Sequence, residues 1–284
     1  MAITSVIWGI GFVAQSAAMN YMEPFIFNAA RFGLGGLALV PVVILLEKQG
    51  INRATVKAGI IGGLIVFIAA ALQQWGIVIT GSAGKSGFVT GLYIVLVPIL
   101  GMFVGRKTTL FVWMGAILAT IGLYFISAPG NLRYIDIGVL FLIAGAFGWA
   151  IHILVIDHFI AGVPEQSVRP LGFSAIQCLV CAAASFAVAF AFEDVQIANI
   201  TAGYLPVLYS ALISVGIAYT LQIVAQKHVS PGRCAVIISV EAVVAAIGEA
   251  ILLGVFLSTR GYFGGGLIFA GVIISQLRYS LKRE

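Results

Sequence analysis

The sequence predicts an all-α integral membrane protein, with ten transmembrane helices arranged as two inverted-topology five-helix repeats around a central cavity. Three observations carry that expectation. Only 9% of the 284 residues are charged, against roughly a quarter in a soluble domain. Hydrophobic residues make up 61% of the chain, and its mean hydropathy is +1.13. The apolar residues fall into ten long runs, with charges and turn residues collected in the gaps.

A bilayer core of roughly 30 Å requires about 20 apolar residues per helical crossing. The first run, 2–22, contains no Lys, Arg, Asp or Glu. It lacks a basic n-region and is too long for a signal-peptide core, so it reads as a retained span. The runs at 25–46, 58–80, 86–104 and 110–127 complete a first set of five. Those at 136–158, 168–192, 202–226, 233–253 and 261–277 form a second set. The gaps are too short for a soluble catalytic domain. Continuous runs favour helices, because barrel strands would alternate over about ten residues.

The net charge of +5 and a pI near 9.2 follow from topology rather than from a nucleic-acid partner. With the N-terminus inside, Lys48, Arg53, Lys57, Arg106, Lys107, Arg169, Lys227, Arg233, Arg278, Lys282 and Arg283 are cytoplasmic. Only Lys85, Arg133 and Arg260 lie outside, and Arg31 stays within the membrane. Both termini are therefore expected in the cytoplasm of a cell with this protein in its plasma membrane.

Corresponding places in the two sets are similar. Ala70-Ala71-Leu72-Gln73-Gln74 in the third run matches the character of Tyr219-Thr220-Leu221-Gln222 in the eighth. The divide falls at 128–135, with Pro129, Gly130 and Asn131, giving repeats at 2–127 and 136–278. An odd number of crossings inverts the second repeat, as in secondary transporters with a midplane site.

Trp8-Gly9-Ile10-Gly11-Phe12, Glu23-Pro24 with Ala30-Arg31-Phe32, and Gly91-Leu92-Tyr93-Ile94-Val95-Leu96-Val97-Pro98 stand in order along the first half. In these motifs and their spacing the chain resembles the EamA family of the drug/metabolite transporter superfamily, over nearly its whole length. Two positions depart from the family pattern: Ala242 where a proline follows the glutamate, and Val255 where a glutamate follows the glycine. The resemblance implies ten helices around a central cavity and the export or import of small metabolites.

Motifs for catalysis are weak. The segment 81–86 ends like a phosphate-binding loop but has Ile79 where the first glycine belongs. There is no HExxH, no GxSxG, and no cluster among His152, His158 and His228, so neither a cofactor nor a metal is expected. Cys178 and Cys181 form a CxxC inside an apolar run and read as small packing residues. Asn199-Ile200-Thr201 is a short glycosylation match.

Ionisable groups inside the membrane carry more information, because burying them is costly unless they serve or are paired. Glu241 reads either as the partner of Arg31 or of another buried donor, or as a cavity carboxylate for a cationic group or a proton. Glu249 lies about 80° around the helix from it and nearer the outer end. Arg31 itself reads as structural or topological. Trp8 and Gln15 share a helix face across Phe12; Trp149 and His152 are three apart; Tyr219, Gln222 and Gln226 follow one stripe. With Gln73 and Tyr93 they predict a cavity lined by Trp8, Gln15, Gln73, Tyr93, Trp149, His152, Tyr219, Gln222 and Glu241. The bland alternative for each is interhelical hydrogen bonding. Glycine pairs Gly87/Gly91, Gly101/Gly105 and Gly261/Gly265 predict close helix contacts, and Pro98 and Pro206 predict kinks.

The expected activity is secondary transport of a small organic metabolite, an amino acid or related compound or a drug-like one, by alternating access. Glu241 and His152 suggest proton coupling. A passive facilitator is the nearest alternative, ahead of an intramembrane enzyme or a receptor-like module. The expected partners are a small-molecule substrate and membrane lipid, with no nucleic acid.

Overall fold

A computed structural model describes residues 1–81, 83–127, 136–161, 167–253 and 258–280. The expectations resting on the 128–135 divide with Arg133, on Val255, on Lys282 and Arg283, and on the 81–86 segment through Ser82 lie outside the described residues, as do the side chains of Lys85, Glu249 and Arg278. Among the described residues all regular structure is helical. Helices α1 (Ala2–Ala18), α2 (Pro24–Leu46), α3 (Arg53–Thr80), α4 (Ala83–Thr90), α5 (Tyr93–Phe103) and α6 (Leu110–Ser127) precede the 128–135 segment. After it come α7 (Ile137–Ile160), α8 (Pro170–Phe192), the short α9 (Ile197–Ala202) and α10 (Tyr204–Leu208). A π-helical segment, Tyr209–Tyr219, runs into α11 (Thr220–Gln226), followed by α12 (Pro231–Ile238), α13 (Val240–Leu253) and α14 (Thr259–Ser280).

Among the described residues, seven helical stretches are long and apolar enough to cross a membrane, and Ala2–Ala18 and Leu110–Phe125 are shorter apolar helices. Large apolar side chains such as Ile44, Leu64, Phe103 and Phe190 remain exposed on the outside. Backbone amides and carbonyls are meanwhile consumed within helices. That combination suits hydrocarbon, where nothing else can satisfy the backbone.

Local chemistry explains the helix ends. Asn52 caps α3 by accepting the Thr55 N–H at 2.8 Å, and Gly81 closes it at φ 60°. Asp136 caps α7 by accepting the Val139 N–H at 2.9 Å. Helices α2 and α8 both open on a proline, which lacks the amide hydrogen that would otherwise be orphaned there.

Their remaining free amides are satisfied reciprocally. The carboxylate of Glu193, just past the end of α8, accepts the Phe25 and Ile26 N–H groups of α2 at 2.8 and 2.7 Å. Glu47, just past the end of α2, accepts the Leu171 and Gly172 N–H groups of α8, both at 2.9 Å. Each helix thus holds the other's N-terminus, which fixes the pair as antiparallel. Burial pushes the Glu193 carboxyl above the ordinary carboxylate range, against the downward pull of its two amide donors. Replacing Glu47 or Glu193 by Ala is expected to lower stability by about 1–3 kcal/mol each, because two amides lose their acceptor. Melting of the purified protein in detergent would register this, with the double variant falling furthest.

Two predicted runs are not continuous. The 86–104 run is interrupted by a turn at Gly91–Leu92, and the 233–253 run by a turn at Ser239. Around both turns the backbone tightens to i→i−3 bonds, with Ile94 N–H to Gly91 O at 3.0 Å and Ala242 N–H to Ser239 O at 3.1 Å. The glycine expectation also changes. Gly105 has φ 76° and nothing within 4 Å of a built Cβ, so it serves a turn; Gly87 likewise faces open space. Gly91 does lie at a tight contact, since a Cβ there would meet Leu123 Cδ1 at 2.8 Å, but other tight crossings use glycines outside the predicted pairs: a Cβ on Gly115 would meet Gly271 O at 2.6 Å, and one on Gly271 would meet Gly115 O at the same distance. Spacing marks a small face but not the element that opposes it.

Candidate functional site

The two interrupted runs position the first pair of functional side chains. Tyr93 follows Gly91 by two residues, and Glu241 follows Ser239 by two. Both side chains are buried, and Tyr93 Oη donates to Glu241 Oε1 at 2.8 Å. Of the two structural alternatives for this carboxylate, Arg31 or another buried donor, the structure shows the second, the Tyr93 hydroxyl.

Around that pair lies a cavity with roughly 540 Å³ of unfilled space, its mouth included. All nine residues singled out from the sequence line it. Trp8 and Gln15 come from α1, Gln73 from α3, Tyr93 from α5, and Trp149 and His152 from α7. Tyr219 ends the π-helical segment, Gln222 lies in α11 and Glu241 in α13.

Their polar atoms are ordered by one another. Trp149 Nε1 donates to Gln73 Oε1, and Gln73 Nε2 donates to Gln15 Oε1 at 3.2 Å. Trp8 Nε1 donates to the Ser214 carbonyl of the π-helical segment at 3.0 Å. His152 Nε2 lies 3.0 Å from the Gln177 side-chain amide on α8, within hydrogen-bond reach. The Tyr219 ring is the hub of an aromatic wall. Trp8 meets it edge-on at 5.0 Å, His152 at 5.9 Å, and Trp149 lies at 6.2 Å.

Among the described residues, Gln222 Oε1 and Thr90 Oγ1 are buried without a hydrogen-bond partner, and both residues line the cavity. Buried polar atoms are normally satisfied, so these two are available to a ligand. Of the other residues in the predicted stripes, Gln226 instead donates to the Ile153 carbonyl at 2.9 Å, and Gln74 to the Gln15 carbonyl at 3.4 Å. Those two hold helices together.

Arg31 was expected to be structural, yet it is part of the cavity wall. Its Nε donates to Asn28 Oδ1 at 2.9 Å, and its guanidinium lies 5.0 and 4.8 Å from the rings of Phe27 and Phe32. Among the described side chains it makes no ion pair. The signal was present in the sequence as a lone cation in an apolar run, the same kind of signal that singled out Glu241. Thr90 and Ser214 were also missed, because hydroxyls are common in membrane helices and carry no pattern. Cys178 and Cys181 are free thiols packed with Phe32, Val66 and Ala70 in the core, as read.

Known proteins agree with this architecture. A crystal structure at 18% identity superposes with a TM-score of 0.80, covering 100% of this chain and 97% of the other; it shares the fold. An Archaeoglobus fulgidus protein described as an uncharacterized transporter is 29% identical over 284 residues, spanning 98% of this chain and 85% of the relative. The uncharacterized inner membrane transporter YedA of Escherichia coli K12 is 22% identical, spanning 96% and 89%. YoaV of Bacillus subtilis, also an uncharacterized transporter, is 20% identical, spanning 98% and 96%. The EamA-like transporter family matches residues 1–128 and again 136–277. With a polar cavity inside an apolar helical shell, and a family match running through both halves, the chain is a multi-pass membrane transporter that belongs to the EamA-like transporter family.

Proposed function

We propose that the protein is a secondary transporter that moves a small zwitterionic metabolite, an amino acid or related compound, across the plasma membrane by alternating access. The observation that carries this reading is the cavity, which holds a buried guanidinium and a buried carboxylate that are not paired with each other. A ligand with a carboxylate and an ammonium complements both, and the aromatic wall and free amide and hydroxyl atoms receive the rest. Trp8, Gln15, Gln73, Tyr93, Trp149, His152, Tyr219, Gln222 and Glu241 are the proposed substrate contacts, joined by Arg31.

The helix pairings support ten crossings in two inverted repeats, 2–127 and 136–278. Helix α1 packs on α13 as α7 packs on α4 and α5, and α3 packs on α8 as the π-helical segment packs on α2. Helices α2 and α8 pair with each other, as do α6 and α14. The reciprocal Glu47 and Glu193 caps and the matching breaks before Tyr93 and Glu241 obey the same two-fold relation. Interrupted helices at corresponding places are a mark of midplane transporter sites. By the distribution of Lys and Arg, both termini are cytoplasmic.

Purified protein is tested by thermal shift against a metabolite library, then by uptake of the hits into proteoliposomes. Amino acids and related zwitterions are expected to raise the melting temperature and to be taken up with counterflow. Binding confined to uncharged compounds, or flux without counterflow, would overturn the reading.

A further inference from the structure

A second cavity lies at the end of the molecule where α5 stops and α12 begins, away from the substrate site. It encloses about 360 Å³ of unfilled space, mouth included. Three cations and three hydroxyls line it: Arg106, Lys107 and Arg233, with Thr108, Thr109 and Ser230. Val97, Val112 and Leu154 supply the apolar side. Asp157 reaches this cluster, with its Oδ2 2.6 Å from Arg106 Nε. That contact orients Arg106 through Nε and leaves both of its terminal nitrogens for a ligand. The side chain of Arg106 is 44% exposed and that of Asp157 only 4%, so the pair presents its cationic half outward. The wall is built across the divide. Arg106 and Lys107 belong to the first half of the chain, whereas Ser230 and Arg233 open α12 in the second. Gly232 lets the two sides close up, since a Cβ there would meet Val112 Cγ1 at 2.9 Å.

We infer that this pocket binds a phosphate group, supplied either by an anionic phospholipid headgroup of the cytoplasmic leaflet or by a free phosphate. Several fixed donors converging on one concave site match the oxygens of a phosphate, and basic pockets between membrane helices take such headgroups. A phosphate held by Arg106 and Lys107 on one side and Arg233 on the other ties the two halves together at this face. It therefore favours the arrangement seen here.

The test uses the intact protein, with melting temperature as readout, in detergent with inorganic phosphate or chloride at matched ionic strength. A parallel arm uses nanodiscs of phosphatidylcholine with and without phosphatidylglycerol. Stabilisation by phosphatidylglycerol alone assigns the site to lipid; stabilisation by inorganic phosphate as well assigns it to the phosphate group from either source. Lys107→Gln/Arg233→Gln is expected to weaken the response by about thirtyfold in apparent affinity, since each basic group near an anionic surface contributes comparably. Lys107→Gln alone, an exposed change, serves should the double variant not fold, and is expected to weaken it about fivefold. A wild-type protein that phosphate and phosphatidylglycerol stabilise no more than chloride and phosphatidylcholine would overturn the inference. So would a Lys107→Gln protein that responds as the wild type does.

Discussion

Glu241→Gln is expected to weaken binding of zwitterionic ligands by about thirtyfold or more, the effect of removing one partner from a buried, hydrogen-bonded charge pair. The substitution keeps the size of the side chain and leaves an oxygen to accept the 2.8 Å bond from Tyr93, so the packing of α5 against α13 survives. What disappears is the charge. If Glu241 also carries the coupled proton, wild-type uptake into proteoliposomes rises with an imposed pH gradient, and Glu241→Gln uptake does not respond to one. Tyr93→Phe is the informative companion, because it removes the donor and keeps the carboxylate. Its affinity changes while its response to the gradient persists. Uptake by Glu241→Gln that matches wild type in both affinity and pH response would remove the carboxylate from the mechanism.

Much of this was legible in the sequence, and the remainder has definite physical causes. Hydropathy located the helical runs, because apolar content is a local property; the run read as 25–46 is a helix at Pro24–Leu46, and 168–192 is Pro170–Phe192. The same measure is blind to the breaks at Gly91–Leu92 and Ser239, since hydropathy averaged over a whole run stays high across a turn of one or two residues. Helical spacing put Trp8 with Gln15, and Tyr219 with Gln222, on shared faces, and those faces line one cavity. Spacing within one helix cannot reveal a partner on another. Hence the sequence offered Glu241 either Arg31 or another buried donor without choosing between them; Asn28, one turn away, orients Arg31, and Tyr93 is the donor that takes the carboxylate. The reciprocal caps of Glu47 and Glu193 were missed for the same reason: each joins positions more than a hundred residues apart.

Gly9→Val and Gly115→Val should separate assembly from binding. A Cβ on Gly9 would meet Glu241 O at 2.6 Å and Val244 Cβ at 2.5 Å, and one on Gly115 would meet Gly271 O at 2.6 Å. In both cases the obstacle includes backbone, which cannot rotate aside, so the helices themselves must part. Overpacking of this kind costs about 1–3 kcal/mol, and valine at a backbone contact belongs at the upper end. Both variants are therefore expected to melt well below wild type. Their binding should differ, because the displaced helices differ. Moving α1 away from α13 shifts Trp8 and Gln15 relative to Glu241, so Gly9→Val loses ligand affinity along with stability. Helices α6 and α14 contribute no side chain to the cavity wall, so the folded fraction of Gly115→Val should bind with wild-type affinity. Titration of both proteins by a ligand-induced fluorescence change, at a temperature where each is folded, distinguishes the two. Equal loss of affinity in both would mean that the α6–α14 crossing supports the cavity, and that the site is not confined to the walls around Tyr93 and Glu241.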